Sequence, residues 1–136
     1  MRPSAILETA LYADDLNKAE SFYGEVLGLE RIAKVEGRHV FFRCGTGVLL
    51  IFNPERTIDP PPQGAKLPVP PHGATGDGHV AFSASADEIT RWKAHLQSHG
   101  IAIDADFEWP NGGRSIYFRD PAGNSLEFTE SRIWGF

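Results

Sequence analysis

The chain has 136 residues, 41% of them hydrophobic and 11% aromatic, which suits one globular domain with its own core. Thirteen Lys and Arg against 18 Asp and Glu give a net charge of −5 and a pI near 5.5, so neither a nucleic-acid surface nor an anionic-membrane surface is expected. One cysteine, Cys44, is too few for an intrachain disulfide or a cysteine zinc site. With no long apolar run, and an N-terminus that turns polar at Glu8, the expected setting is the cytoplasm.

In chain order, residues 6–12 predict a strand, and Asp15 predicts the cap of a helix over 15–28. In that helix Leu16, Ala19, Phe22, Tyr23, Val26 and Leu27 follow a period near 3.6, and Gly28 ends it. Residues 29–35 supply the next strand, and residues 37–54 read as a hairpin turning at Cys44 to Gly47. Residues 54–77 hold seven of the ten prolines without helical or alternating pattern. So long a segment is either a plain spacer or a tether that also covers a site.

The same order then restarts. Residues 78–83 predict a strand, Ser85 to Glu88 has the spacing of a capping box, and Ile89, Trp92 and Leu96 share a helix face closed by Gly100. Residues 101–106 give a further strand. The final hairpin, GRSIYFRDPAGNSLEFTE over 113–130, aligns without a gap to GRHVFFRCGTGVLLIFNP over 37–54, with seven of 18 positions identical at an offset of 76. The expected organisation is therefore an α+β domain of two βαβββ modules, 1–53 and 78–136, joined by the Pro-rich connector 54–77.

Strand alternation places Glu8, His79 and Glu127 on faces turned away from the helices. A carboxylate between Leu126 and Phe128 is costly unless solvated, paired or bound to a cation. From the residues alone two readings stay open, namely metal ligation or a hydrogen-bonded polar cluster, in which Arg43, Arg114 and Arg119 could pair the carboxylates.

The stretches ETALYADDLNKAESFYGEVLGLE (8–30), GHVAF (78–82) and YFRDPAGNSLEF (117–128) resemble the vicinal-oxygen-chelate superfamily, which includes glyoxalase, bleomycin-resistance and extradiol dioxygenase proteins. The resemblance implies paired βαβββ modules whose mixed sheets curl around a cavity. It implies one divalent ion, of Mn, Fe, Co, Ni or Zn, with Glu8, His79 and Glu127 as ligands. A fourth ligand position falls at Ile51 by the repeat, or at Leu50 if the register slips by one, and neither can bind metal.

The activity that the resemblance implies is that of a lyase, isomerase or transferase acting on a small molecule with adjacent oxygens, with Glu127 or Glu8 also moving a proton. Two alternatives accompany it: a metal-free binder of small molecules or antibiotics, and an iron-dependent ring-cleaving dioxygenase. A homodimer is expected, with modules paired within a chain or exchanged between chains.

His72 in the connector is a candidate acid, base or extra ligand. Tyr12, Phe41, Trp109 and Tyr117 are candidate cavity-lining groups, and Arg114 a candidate anion holder, with Arg38, Arg43 and Arg119 its alternatives; the repetition of these arginines favours hairpin salt bridges. His95 and His99 have the i, i+4 spacing of a helix-borne metal pair, but their place in a helix's last turns favours an ordinary solvent face. Residues 133–136 are apolar enough to pack on a partner chain.

Overall fold

The structure is a computed structural model that describes residues 1–135, and the chain divides after residue 76 into two units that repeat one order of elements. The first holds β1 (Glu8–Tyr12), α1 (Leu16–Ser21), β2 (Glu30–Val35), β3 (His39–Cys44) and β4 (Gly47–Phe52). The second holds β5 (His79–Ser83), α2 (Ala86–Ser98), β6 (Ile103–Glu108), β7 (Arg114–Arg119) and β8 (Ser125–Thr129). Each unit has one open four-stranded mixed sheet, in the orders β1-β4-β3-β2 and β5-β8-β7-β6, with the first strand parallel to the last and the other pairs antiparallel. This is the α+β architecture of paired βαβββ modules.

Local chemistry sets the element ends. The Asp15 carboxylate accepts from the Lys18 N–H, and Ser85 and Glu88 form a complete capping box. The expected continuous helix over 15–28 breaks after Ser21 into a wider turn over Phe22–Val26, where the Leu27 N–H bonds to the Phe22 carbonyl five residues back. Phe22, Tyr23 and Leu27 are buried in the core across this wider turn. The strand expected over 101–106 lies instead at Ile103–Glu108, because the Ile101 N–H bonds to the Leu96 carbonyl and closes α2 around Gly100, whose φ is +72°.

In each unit one sheet face packs on the helix. Leu11, Val40, Phe42, Leu49 and Ile51 meet Leu16, Ala19 and Tyr23; Ile116, Phe118, Leu126 and Phe128 meet Ile89, Trp92 and Leu96. Burying side chains of this size stabilises the fold by about 1.5–3 kcal/mol each.

The registers correct the gap-free repeat. Phe42 pairs with Leu49 and Phe118 with Leu126, while Phe41 pairs with Leu50 and Tyr117 with Glu127. The last strands are thus related by an offset of 77, because four residues, 44–47, join the paired Arg43 and Val48 where five, 120–124, join the equivalent pair Arg119 and Ser125. Leu50, not Ile51, is the counterpart of Glu127. Leu50/Leu126 and Phe52/Phe128, identical in sequence, lie on opposite faces of their sheets.

Residues 54–76 of the connector belong to the first unit. After a tight turn at Pro54–Arg56 the connector runs irregularly, and the His72 N–H returns to the Thr57 carbonyl at 2.9 Å. A cavity of about 720 Å³ lies among Asp14, Pro54, Ile58, Pro71, His72 and Thr75. Among the described residues no helix is long and apolar enough to cross a membrane.

Candidate functional site

On the sheet face of the second unit turned away from α2, the strands present His79, Glu127, Tyr117, Ser115 and Thr129. His79 and Glu127 come together: Nε2 lies 3.4 Å from Oε2. The His79 Nδ1 donates to the Ser125 carbonyl at 3.0 Å, which fixes the ring and leaves Nε2 to present its lone pair toward the carboxylate. Glu127 is only 4% exposed, and its other oxygen, Oε1, is buried without a hydrogen-bond partner.

This pair fits a cation. A buried carboxylate with an orphaned oxygen is costly, and a carboxylate facing an imidazole lone pair needs a proton or a metal ion between them. Oxygen and imidazole donors together suit the divalent first-row metals. Within the second unit no third His, Cys, Asp or Glu joins the pair among the described residues.

Tyr117 stands over His79, ring centroids 6.1 Å apart and 20° from parallel, and stacks on Phe107 at 5.9 Å. Burial pushes its phenol up to about 12, with the Glu127 carboxylate acting in the same direction, so at neutral pH it is a hydrogen-bond donor. Trp109 spends its indole N–H on the Ser115 hydroxyl at 2.8 Å, and Ser115 meets Thr129 at 2.7 Å.

Arg114 faces α2. Its guanidinium makes two 2.8 Å bonds to Asp106 and a 2.7 Å bond to Thr90, away from Glu127. The same pairing marks Arg43 with Glu30 and Arg119 with Asp104, so these arginines serve the hairpins.

In the first unit Glu8 is exposed on β1. It pairs with Val48 as His79 pairs with Ser125, two residues before Ala10 and Ala81, which face Leu50 and Glu127. Glu8 is therefore the internal counterpart of His79.

Further along that face, Tyr12, His39, Phe41, Phe52 and His72 form one aromatic cluster. The Tyr12 hydroxyl and the His72 Nδ1 share a 2.8 Å hydrogen bond, Phe52 meets His72 edge-on at 4.5 Å, and His39 stacks on Phe41 at 4.1 Å. His39 is not among the residues that the sequence singles out, although alternation along β3 puts it on this face with Phe41. Arg38 Nη1 donates to its Nδ1 at 2.8 Å, and burial first, then the Arg38 charge, pushes the imidazole below its ordinary value. His39 is thus a neutral ring with its proton on Nε2.

A model of the Glyoxalase/Bleomycin resistance protein/Dioxygenase superfamily matches residues 5–128. The crystal structure of a lactoylglutathione lyase from Agrobacterium tumefaciens is 47% identical over the whole of both chains, with a TM-score of 0.93. A glyoxalase/bleomycin resistance protein/dioxygenase structure from Nocardioides, 23% identical, shares the fold with a TM-score of 0.72, covering 96% of this chain and 84% of that one. The metallothiol transferase FosB of Bacillus licheniformis is 27% identical over 121 residues, 88% of this chain and 71% of the relative.

Proposed function

The chain belongs to the Glyoxalase/Bleomycin resistance protein/Dioxygenase superfamily, and from that premise we propose that it is a metal-dependent enzyme of the lyase, isomerase or transferase kind acting on a small molecule with adjacent oxygens. The observation that carries this reading is the buried Glu127 with its orphaned Oε1, facing the lone pair of an imidazole that the Ser125 carbonyl holds in place. The lactoylglutathione lyase and metallothiol transferase similarities support it.

Glu8, His79 and Glu127 are the proposed ligands. Glu8 enters because the repeat makes it the counterpart of His79, and Leu50 takes no part because the counterpart of Glu127 is there a hydrocarbon. A divalent ion held by these residues would supply Lewis acidity toward negative charge on the substrate oxygens. Glu127 Oε1 makes no hydrogen bond within the protein, so it is the carboxylate oxygen best placed to take a substrate proton and return it. Tyr117 supplies a protonated hydroxyl beside that carboxylate, and its ring keeps His79 from rotating. The homodimer stays part of the proposal; light scattering on the purified chain tests it.

Metal content by mass spectrometry on untagged protein tests the centre. The expected result is about one equivalent of a divalent ion that disappears in Glu127→Gln and His79→Ala and is weakened in Glu8→Gln. If no equivalent sensitive to Glu127→Gln appears after reconstitution with Mn, Fe, Co, Ni or Zn, the enzyme reading fails and metal-free binding of a small molecule replaces it.

A further inference from the structure

Arg38 and Arg114 hold equivalent places in the two units, just ahead of Val40 and Ile116, yet their guanidinium groups meet opposite surroundings. We propose that Arg38 is a binding site for a small organic carboxylate with a flat apolar body, on the face of the first sheet that carries His39, Phe41 and Phe52. The site is independent of the Glu127 centre and needs no metal ion.

The contrast between the two units carries this. In the second, Asp106 pairs with Ile116 across the strands, and its carboxylate accepts from Arg114 Nε and Nη2 at 2.8 Å each, while Nη1 donates to Thr90. That two-bond fork is how an arginine grips a carboxylate. In the first unit the register puts Lys34 opposite Val40, so a like charge stands where the partner would be. Lys34 is itself paired with Glu20 at 2.7 Å and Glu36 at 3.1 Å. Arg38 turns the other way: its Nη1 donates to His39 Nδ1 at 2.8 Å, and its Cζ lies 5.9 Å from the centre of the Phe52 ring. Among the described residues no carboxylate pairs with Arg38, and the Nε and Nη2 that Arg114 spends on Asp106 have no acceptor there. His39 therefore fixes one end of the guanidinium, as Thr90 does for Arg114, and leaves the fork for a ligand. His39 is in turn stacked on Phe41 at 4.1 Å, 10° from parallel, which sets a flat aromatic surface beside the fork. Arg38 is half-buried, so its charge is screened less than that of a fully exposed arginine.

Titration of the full, untagged, chelator-treated chain with sodium benzoate, followed by the magnetic resonance signal of the Arg38 Nε–H, tests the site. The expected result is saturable binding that moves this signal and is weakened about tenfold or more in Arg38→Gln. Arg38→Lys, which keeps the charge and loses the fork, is expected to weaken it about threefold or more. Benzamide, of the same shape without the charge, is expected to bind about tenfold or more weakly than benzoate. Urea melts identify a variant that has lost its fold; should Arg38→Gln be one, Arg38→Lys and the benzamide comparison decide. Benzoate that does not saturate, that binds a folded Arg38→Gln or Arg38→Lys chain as it binds the native one, or that benzamide matches, overturns the proposal. No ion enters the titration, so its failure leaves the Glu127 centre standing, and failure of that centre leaves the carboxylate site standing.

Discussion

Replacing Glu127 by Leu should make the metal-free protein more stable while abolishing its metal centre. The first unit already holds a leucine, Leu50, at the counterpart position, paired with Phe41 as Glu127 is paired with Tyr117. In the native chain Glu127 is 4% exposed and leaves Oε1 without a partner. An unsatisfied buried polar group costs about 1–3 kcal/mol, and a charged one more. Leucine removes that term and contributes apolar burial, so the expected gain is about 1–3 kcal/mol, or roughly 3–12 °C in melting temperature for a domain of this size. Urea denaturation after chelator treatment reads it directly, and saturating metal should stabilise the wild type alone, by mass action. A metal-free Glu127→Leu chain no more stable than the wild type would refute the claim that this carboxylate is kept at the expense of stability.

The Asp106 carboxyl is held well below the usual carboxylate range by hydrogen bonds from Arg114 first and Lys93 second. A depressed carboxylate contributes stability above its unfolded value of about 4 and loses it as pH falls toward the folded value. Asp106→Asn should therefore cost about 1 kcal/mol at pH 7, solvent screening included, and the difference should shrink below about pH 4 in pH-dependent melts. Gly113 has φ +93°, and a Cβ there would lie 2.5 Å from Ile133 Cγ2. Gly113→Ala should cost more than about 1 kcal/mol by denaturant titration, whereas Gly37→Ala, strained but with open space, should cost less. His72→Ala should speed hydrogen exchange in residues 57–75 with under about 1.5 kcal/mol of global loss, because it removes one hydrogen bond to Tyr12 and one edge contact with Phe52.

Much of this architecture is readable in the sequence because both units repeat the same local devices. Gly37 and Gly113 match in the alignment, and both take positive φ ahead of the third strand of their units. Ser85 and Glu88 form the capping box their spacing implies. What alternation does not supply is turn length: a gap-free match carries Leu50 onto Leu126 although their side chains face opposite ways. The signal lies in Asp120 and Asn124, whose side chains tie the longer loop together, with the Asp120 carboxylate accepting from the Ala122 and Asn124 N–H groups and Asn124 Oδ1 accepting from Gly78. Nor does a helical period distinguish a regular turn from the wide one at Phe22, because both bury the same residues. His39 escapes a reading of the sequence because the clear motifs lie on the strands that carry carboxylates. The candidate ligands are legible as polar residues in apolar strands; the orphaned Oε1 and the fixed His79 tautomer are properties of three-dimensional packing alone. The apolar tail ends at Phe136, outside the described residues, and Trp134 before it is 75% exposed.

The unequal hairpin turns bear on how such a chain can change its chemistry. Because side chains alternate along a strand, one residue more or less in the loop exchanges every inward and outward position beyond it. Removing a residue from the loop tied by Asp120 and Asn124 would push Leu126 and Phe128 out of the core together with moving Glu127 into it, which no point substitution does. Gain or loss of a ligand by altered spacing is therefore all-or-nothing for the strand, whereas exchange between carboxylate and hydrocarbon at the Leu50 and Glu127 positions leaves the rest of each sheet untouched. Substitution at these two paired positions is accordingly the open route by which a duplicated module of this kind can become asymmetric, one half retaining a ligand and the other a plain wall.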